Sequence, residues 1–207
     1  MERKMRLTPN ENSTKALFLD RDGTLVVDKG NCGKPSWIEL IPGAREGLIL
    51  ALEAGYRLFL FTNQGGIGRG LFTVEALEAC QQRMFELLGI PEGLFTEICM
   101  ATESPEDPET PKSWRKPSPR FILESIENFG LDPAQCFMIG DREADWLAGL
   151  RAGIQSVAIR TGAPISEEWE RWLTENHIPI FRQFYSFART LSGNVESPPK
   201  SRRPIIR

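Results

Sequence analysis

The sequence predicts an α/β fold, a three-layer α/β/α sandwich around a mainly parallel central sheet. Three observations carry this expectation. Short apolar runs alternate along the chain with amphipathic stretches of helical length, the pattern of a parallel sheet covered on both faces. Several runs end in polar, glycine-containing segments, as strands do where an α/β sheet presents its ligand loops. The 207 residues suffice for one such domain with a proper core and do not demand two.

The elements follow in order. Residues 16–19, Ala-Leu-Phe-Leu, form a buried strand that delivers Asp20 and Asp22 into a turn at Gly23. A loop rich in Gly, Pro and Asn covers 28–43, and a helix over 44–54 is closed by Gly55. A second strand over 56–61 runs into Thr62-Asn63-Gln64-Gly65-Gly66-Ile67-Gly68-Arg69-Gly70. Thr73 then caps a helix reaching Leu88. Residues 94–101 alternate weakly as a third strand, and 102–117 are polar and broken by prolines. Ser118-Pro119 opens a helix to Phe129, with Ser118 as N-cap and the proline in the first turn. A strand over 136–140, a helix over 142–152 and a strand over 154–159 come next. Ser166 caps a helix carrying Glu167 and Glu168 in its first turn, where the helix dipole favours negative charge. A short strand over 178–181 and a helix to Leu191 complete the domain, expected to span 15–191. Residues 1–14 are expected to be a flexible N-terminus, and 192–207 a flexible basic tail.

Composition narrows the function classes. With 41% hydrophobic and 26% charged residues the chain is an ordinary globular one, and its net charge of −3 argues against a general nucleic-acid binder. Nothing approaches a membrane-spanning run, and the polar first 15 residues lack the apolar core of a signal peptide, so a cytoplasmic location is expected. Cys32, Cys80, Cys99 and Cys136 are widely spaced and read as reduced thiols. The single histidine, His177, lies far from every polar cluster, which removes most Ser-His or Cys-His schemes.

Four clusters sit at strand ends or in the loops that follow: Asp20/Asp22, Thr62-Asn63, Arg115-Lys116, and Gly140-Asp141 with Asp145. Taken singly, each has an ordinary use, as a strand-ending turn, a solvated lysine or a helix cap. In a parallel sheet they share one edge and can meet. Two neighbouring carboxylates repel unless a cation intervenes, and a hard cation such as Mg²⁺ takes such oxygen ligands. The sum of carboxylates, cations, a hydroxyl and an amide suits Mg²⁺ with a phosphate dianion.

Phe-Leu-Asp-Arg-Asp-Gly-Thr, Thr-Asn-Gln-Gly-Gly-Ile, Arg-Lys-Pro and Gly-Asp-Arg-Glu-Ala-Asp resemble, in order, the four motifs of the haloacid dehalogenase superfamily. The detail is most similar to its cap-less branch of heptose bisphosphate and histidinol-phosphate phosphatases. The resemblance implies a Rossmann-like fold without a large cap domain and an aspartyl-phosphate mechanism. It implies Asp20 as nucleophile and Asp22 as general acid and base. Thr62 and Lys116 would hold the phosphoryl group, and Mg²⁺ would lie on Asp20, the carbonyl of Asp22 and Asp141, with Asp145 behind them. Asp28, Asn31, Asn63, Gln64, Gly65 and Arg115 would meet the rest of the substrate. A monomer or small homo-oligomer acting on a small phosphorylated metabolite is expected, without nucleic-acid or membrane partners. A histidinol-phosphate phosphatase, a nucleic-acid 3′-phosphatase and a silent phospholigand-binding module are the alternatives. Many members of the branch carry a zinc loop of three cysteines and a histidine before Arg-Lys-Pro. This chain keeps only Cys99 there, so no zinc is expected, and Pro105, Pro108, Pro111 and Trp114 are expected to stiffen the loop instead.

Overall fold

The computed structural model describes residues 10–31 and 33–191. Most of the expected N-terminal segment and the whole basic tail lie outside them. The elements are β1 (Ala16–Leu19), α1 (Ala44–Glu53), β2 (Arg57–Asn63), α2 (Val74–Leu88), β3 (Phe95–Ala101) and α3 (Arg120–Phe129). They continue with β4 (Cys136–Gly140), α4 (Glu143–Arg151), β5 (Gln155–Ile159), α5 (Glu167–Glu175), β6 (Ile180–Phe181) and α6 (Phe184–Ala188). The six strands form one sheet in the order β3-β2-β1-β4-β5-β6, every pair parallel.

The strand side chains divide by the period of two that pleating imposes. Leu17, Leu19, Leu58, Leu60, Ile139 and Val157 point into one layer with Leu48, Met84 and Phe184 from α1, α2 and α6. Ala16, Phe18, Phe59, Phe61 and Met138 point into the other, against Phe121 and Ile122 of α3 and Ala148 of α4. There Phe18 stacks on Phe59 at 4.7 Å, and Phe121 meets Phe18 edge-on at 5.9 Å. A smaller cluster joins Trp146 and Ala158 to Leu173 of α5. This is the Rossmann-like sandwich the sequence predicts, and no domain-sized insertion interrupts the strand and helix alternation between β1 and β3.

Boundaries depart from expectation at a few places. Ser13 donates from its hydroxyl to Gly55 O at 2.6 Å, and Thr14 O accepts from Asp132 N at 2.9 Å. Both residues are thus tied to the domain ahead of the expected start at residue 15. The helix opened by Ser118-Pro119 begins one residue late, at Arg120, whose N–H bonds the Ser118 hydroxyl at 3.3 Å. The last strand shrinks to Ile180–Phe181 because Pro179 has no N–H for the ladder, although its carbonyl still accepts from Ala158 N at 3.0 Å. After β1 the chain makes a tight turn in which Thr24, Leu25 and Val26 all donate to Arg21 O. Gly23 sits there at φ +84°, in the left-handed region that favours glycine.

Candidate active site

β1 and β4 lie side by side at the middle of the sheet, with β2 and β3 continuing on one flank and β5 and β6 on the other. Strand order reverses between them, and open α/β sheets bind ligands at such a switch point, beyond the strands' carboxyl ends. Asp20 follows β1 directly and donates its backbone N–H to Ile139 O of β4 at 3.0 Å. Asp141 follows β4, Thr62 and Asn63 close β2, and Asp145 stands in the first turn of α4.

Lys116 comes from the 102–117 loop and joins these groups. Its Nζ donates to Asp20 Oδ1 at 2.7 Å and to Phe61 O at 2.6 Å, and pairs with Asp145 Oδ1 at 2.6 Å. The side chain is only 2% exposed, so all three ammonium donors are used where water cannot replace them. Burial alone would lower its affinity for the proton, but Asp145 and Asp20 outweigh burial and hold Lys116 above the ordinary lysine range. Asn63 fixes the backbone that carries it: Nδ2 donates to Lys116 O at 3.0 Å and Oδ1 accepts from Lys116 N at 2.9 Å. Asn63, expected to meet substrate, lines the cavity but uses both ends of its amide on Lys116.

Carboxylate oxygens of Asp20, Asp141 and Asp145 all lie within 4.8 Å of one another. One ammonium does not balance three acids. Burial first, then the neighbouring acids against the pull of Lys116, pushes Asp20 well above the carboxylate range. Burial and Asp145 push Asp141 up to about 7. Asp141 Oδ2 accepts from Ala163 N at 2.7 Å, while Oδ1 is buried with no hydrogen-bond partner among the described residues. An orphaned buried carboxylate oxygen beside two further acids fits a divalent cation. The backbone is shaped for it: a Cβ at Gly23 would stand 2.6 Å from Asp141 Cγ, and one at Gly162 would run into the same carboxylate.

Asp22 lines a cavity with Asp20 but is held by other groups. Arg21 Nε reaches Asp22 Oδ2 at 3.0 Å and NH2 reaches Oδ1 at 3.1 Å. Gln64 Nε2 donates to Asp22 Oδ2 at 2.8 Å and to Thr62 Oγ1 at 2.9 Å. Gln64, like Asn63, is therefore occupied by its own chain. The cavity, of about 330 Å³, is lined by Asp20, Asp22, Thr62, Lys116 and, toward the rim, Gly65 and Arg115. Asp28 and Asn31 also reach this rim. Asp28 accepts from Arg142 NH2 at 2.7 Å and from Gly30 N at 2.8 Å. Burial, and Arg69 beside it, lower Arg115 from the ordinary arginine range.

The loop over 102–117 is held by polar staples. Arg69 forks onto Glu106, Ser104 N donates to Asp107 Oδ2 at 2.9 Å, and Trp114 N donates to Glu103 Oε1 at 2.6 Å. Arg151 reaches Glu109 at 2.7 Å, and Arg120 stacks over Trp114 at 4.0 Å. Pro105 rests against Gly65, where a Cβ would stand 2.8 Å from its ring. Cys99 lies half-buried against the same core cluster as Trp114, its thiol pushed up to about 12 by burial.

Sequence reasoning missed Arg21, Arg69, Arg142 and Gly162. Arg21 and Arg142 lie inside quoted motifs without an assigned role, Arg69 follows in the glycine-rich run after β2, and Gly162 matters only because the chain after β5 folds back over Asp141.

Known proteins resemble this chain in sequence and in fold. A family model described as HAD-hydrolase-like matches residues 113–183. The D-glycero-beta-D-manno-heptose-1,7-bisphosphate 7-phosphatase of Helicobacter pylori is 39% identical over 150 residues, covering 70% of this chain and 83% of the relative. The chain belongs to the haloacid dehalogenase superfamily. It is a phosphoric monoester hydrolase of that fold. The heptose bisphosphatase of Chlorobaculum tepidum is 38% identical over 161 residues, covering 72% of this chain and 80% of its own length. Among solved structures, a heptose 1,7-bisphosphate phosphatase from B. bronchiseptica, complexed with magnesium and phosphate, superposes with a TM-score of 0.74. It is 25% identical and covers 87% of this chain and 99% of its own. A putative HAD-like phosphatase from Mesorhizobium loti gives a TM-score of 0.64 at 30% identity, covering 89% of each chain. No helix among the described residues is long and apolar enough to cross a membrane.

Proposed function

We propose that this enzyme hydrolyses a phosphorylated sugar of the heptose 1,7-bisphosphate kind, through a phosphorylated Asp20 and with Mg²⁺. The observation that carries the reading is the buried Lys116, bridging Asp20 and Asp145 beside an Asp141 oxygen with no hydrogen-bond partner among the described residues. With their protons lost, these acids outnumber the cations beside them, and a divalent cation would restore the balance. The names of the relatives support the sugar, and a cavity of about 330 Å³ is at the small end of ligand pockets.

Asp20, Asp141 and the backbone carbonyl of Asp22 would hold the cation, and Asp145 would stand behind them. Bound there, Mg²⁺ would supply positive charge to the phosphoryl oxygens. Lys116 and Thr62 draw the dianion into line with Asp20, which attacks phosphorus while Asp22 gives a proton to the departing oxygen. Asp22 then takes a proton from the water that releases phosphate from Asp20. Arg115, Gly65 and the Asp28–Asn31 rim face the remainder of the sugar, while Asn63 and Gln64 act by holding Lys116 and Asp22. The enzyme would work in the cytoplasm as a monomer or small homo-oligomer.

The test is a panel of phosphorylated sugars, histidinol phosphate and a 3′-phosphorylated oligonucleotide, assayed with and without Mg²⁺. Mg²⁺-dependent phosphate release, greatest with a heptose bisphosphate, is expected. Preference for histidinol phosphate or the oligonucleotide would overturn the substrate, and ligand binding without turnover would overturn the enzyme chemistry.

A further inference from the structure

We infer that Arg21 and Gln64 are positioning residues that anchor Asp22 chiefly through Oδ2 and leave Oδ1, which holds a single donor among the described residues, as the atom that exchanges the proton. This rests on the phosphatase reading above and adds two residues and an atom to it.

Arg21 is 1% exposed, which is unusual for a guanidinium. Its only ion-pair partner among the described residues is Asp22, one position along the chain. Its NH1 has no partner at all among them. Should the Asp22 carboxylate swing away to meet a substrate, a buried, uncompensated cation would remain, a strongly unfavourable arrangement. The carboxylate therefore works from where it stands.

Its two oxygens stand in different surroundings. Oδ2 lies 2.9 Å from Arg21 NH2, 3.0 Å from Arg21 Nε, 2.8 Å from Gln64 Nε2 and 3.5 Å from Thr62 Oγ1. Among the described residues Oδ1 meets Arg21 NH2 alone, at 3.1 Å. An oxygen crowded by donors has no lone pair left for a proton, whereas one with a single donor keeps one. Gln64 is 5% exposed and spends both amide hydrogens on Asp22 and Thr62, so its orientation is set by this network.

The chemistry balances on that atom. The proton on Oδ1 passes to the leaving oxygen as its bond to phosphorus breaks and the bond from Asp20 to phosphorus forms. In the second half, the oxygen of a water bonds phosphorus, the water's proton returns to Oδ1, and Asp20 departs as a carboxylate with release of phosphate. Loosening the Oδ2 anchor would misplace Oδ1, and this matters most where the leaving oxygen needs a proton.

The experiment compares kcat/KM, which reads only as far as the first irreversible step, for esters with different leaving groups. A sugar phosphate releases an alkoxide that must be protonated, whereas p-nitrophenyl phosphate and acetyl phosphate release stable anions. Gln64→Met, close in shape but without the donors, is expected to lose about 30-fold or more on the sugar phosphate. On the two activated esters it is expected to lose less than about threefold. Arg21→Met follows the same pattern with a larger loss; should it not fold, Gln64→Met decides alone. Equal losses on all esters, or none on the sugar phosphate, overturn the inference and leave the phosphatase reading intact. A wild-type enzyme that hydrolyses none of these esters overturns both.

Discussion

At the switch point of the sheet, Lys116 meets Asp20 at 2.7 Å with side chains 2% and 9% exposed. On the 102–117 loop, Arg151 meets Glu109 at the same 2.7 Å, but with 43% and 49% exposed. The contacts are chemically alike and physically very different. Water screens the loop pair, so it contributes little beyond a preferred loop conformation. Around Lys116 the attraction acts in a medium of low dielectric, and each partner's loss leaves a stranded charge. Nearness does not decide what an ion pair does; access of water does.

The largest expected effect comes from the buried group. Asp20→Asn should reduce turnover at least about 10³-fold, read as phosphate release. Retained turnover would remove Asp20 as the attacking group. Lys116→Met should also cost about 3–5 kcal/mol in urea unfolding, because buried Asp20 and Asp145 would lose their shared ammonium beside Asp141. A variant as stable as wild type would show the pair to be as weakly coupled as those on the loop.

Next comes a pH effect. The folded protein without metal keeps a proton on Asp141 up to about pH 7, whereas the unfolded chain releases it near the ordinary carboxylate value. Between those limits the folded state binds more protons, so stability falls as pH rises. The contribution is fully present below the unfolded value and gone above about pH 7, a span worth about 4 kcal/mol. Metal-free protein should therefore melt higher at pH 5 than at pH 8. Mg²⁺ should raise the melting temperature more at pH 8, and its binding below pH 7 should release protons, visible by calorimetry in buffers of different ionisation enthalpy. A flat profile would mean that the acids are balanced without a cation.

The smallest effect belongs to the loop. A double-mutant cycle on Arg151 and Glu109 should return about 0.5 kcal/mol, shrinking further in high salt. A coupling several times larger would erase the contrast between the two regions.

The same contrast explains what could be read from the chain. Asp20, Thr62 and Asp141 were legible because each closes or follows an apolar run, and a parallel sheet brings such ends together whatever their separation in sequence, whereas Lys116 showed only through the Arg-Lys-Pro motif of a polar loop. The strands themselves were legible from their apolar runs, except where Pro179 cuts the last one short. Asn63 and Gln64 showed as polar residues at the right edge, but their partners did not, because an amide serves substrate or backbone equally well. Arg21 gave least warning, since arginine between two aspartates in a turn resembles any solvated cation until the turn folds inward.

Local order and periodicity thus determined the α/β class, the placement of helices and strands, and the loops that carry the reactive side chains. Tertiary structure alone decided which of those side chains lose contact with water. It buried Arg21 and Lys116, left one oxygen of Asp141 without a hydrogen-bond partner among the described residues, and pressed Gly23 and Gly162 against that carboxylate. Solvent exclusion arises from segments far apart in the chain packing together, and the charge balance of the site depends on it.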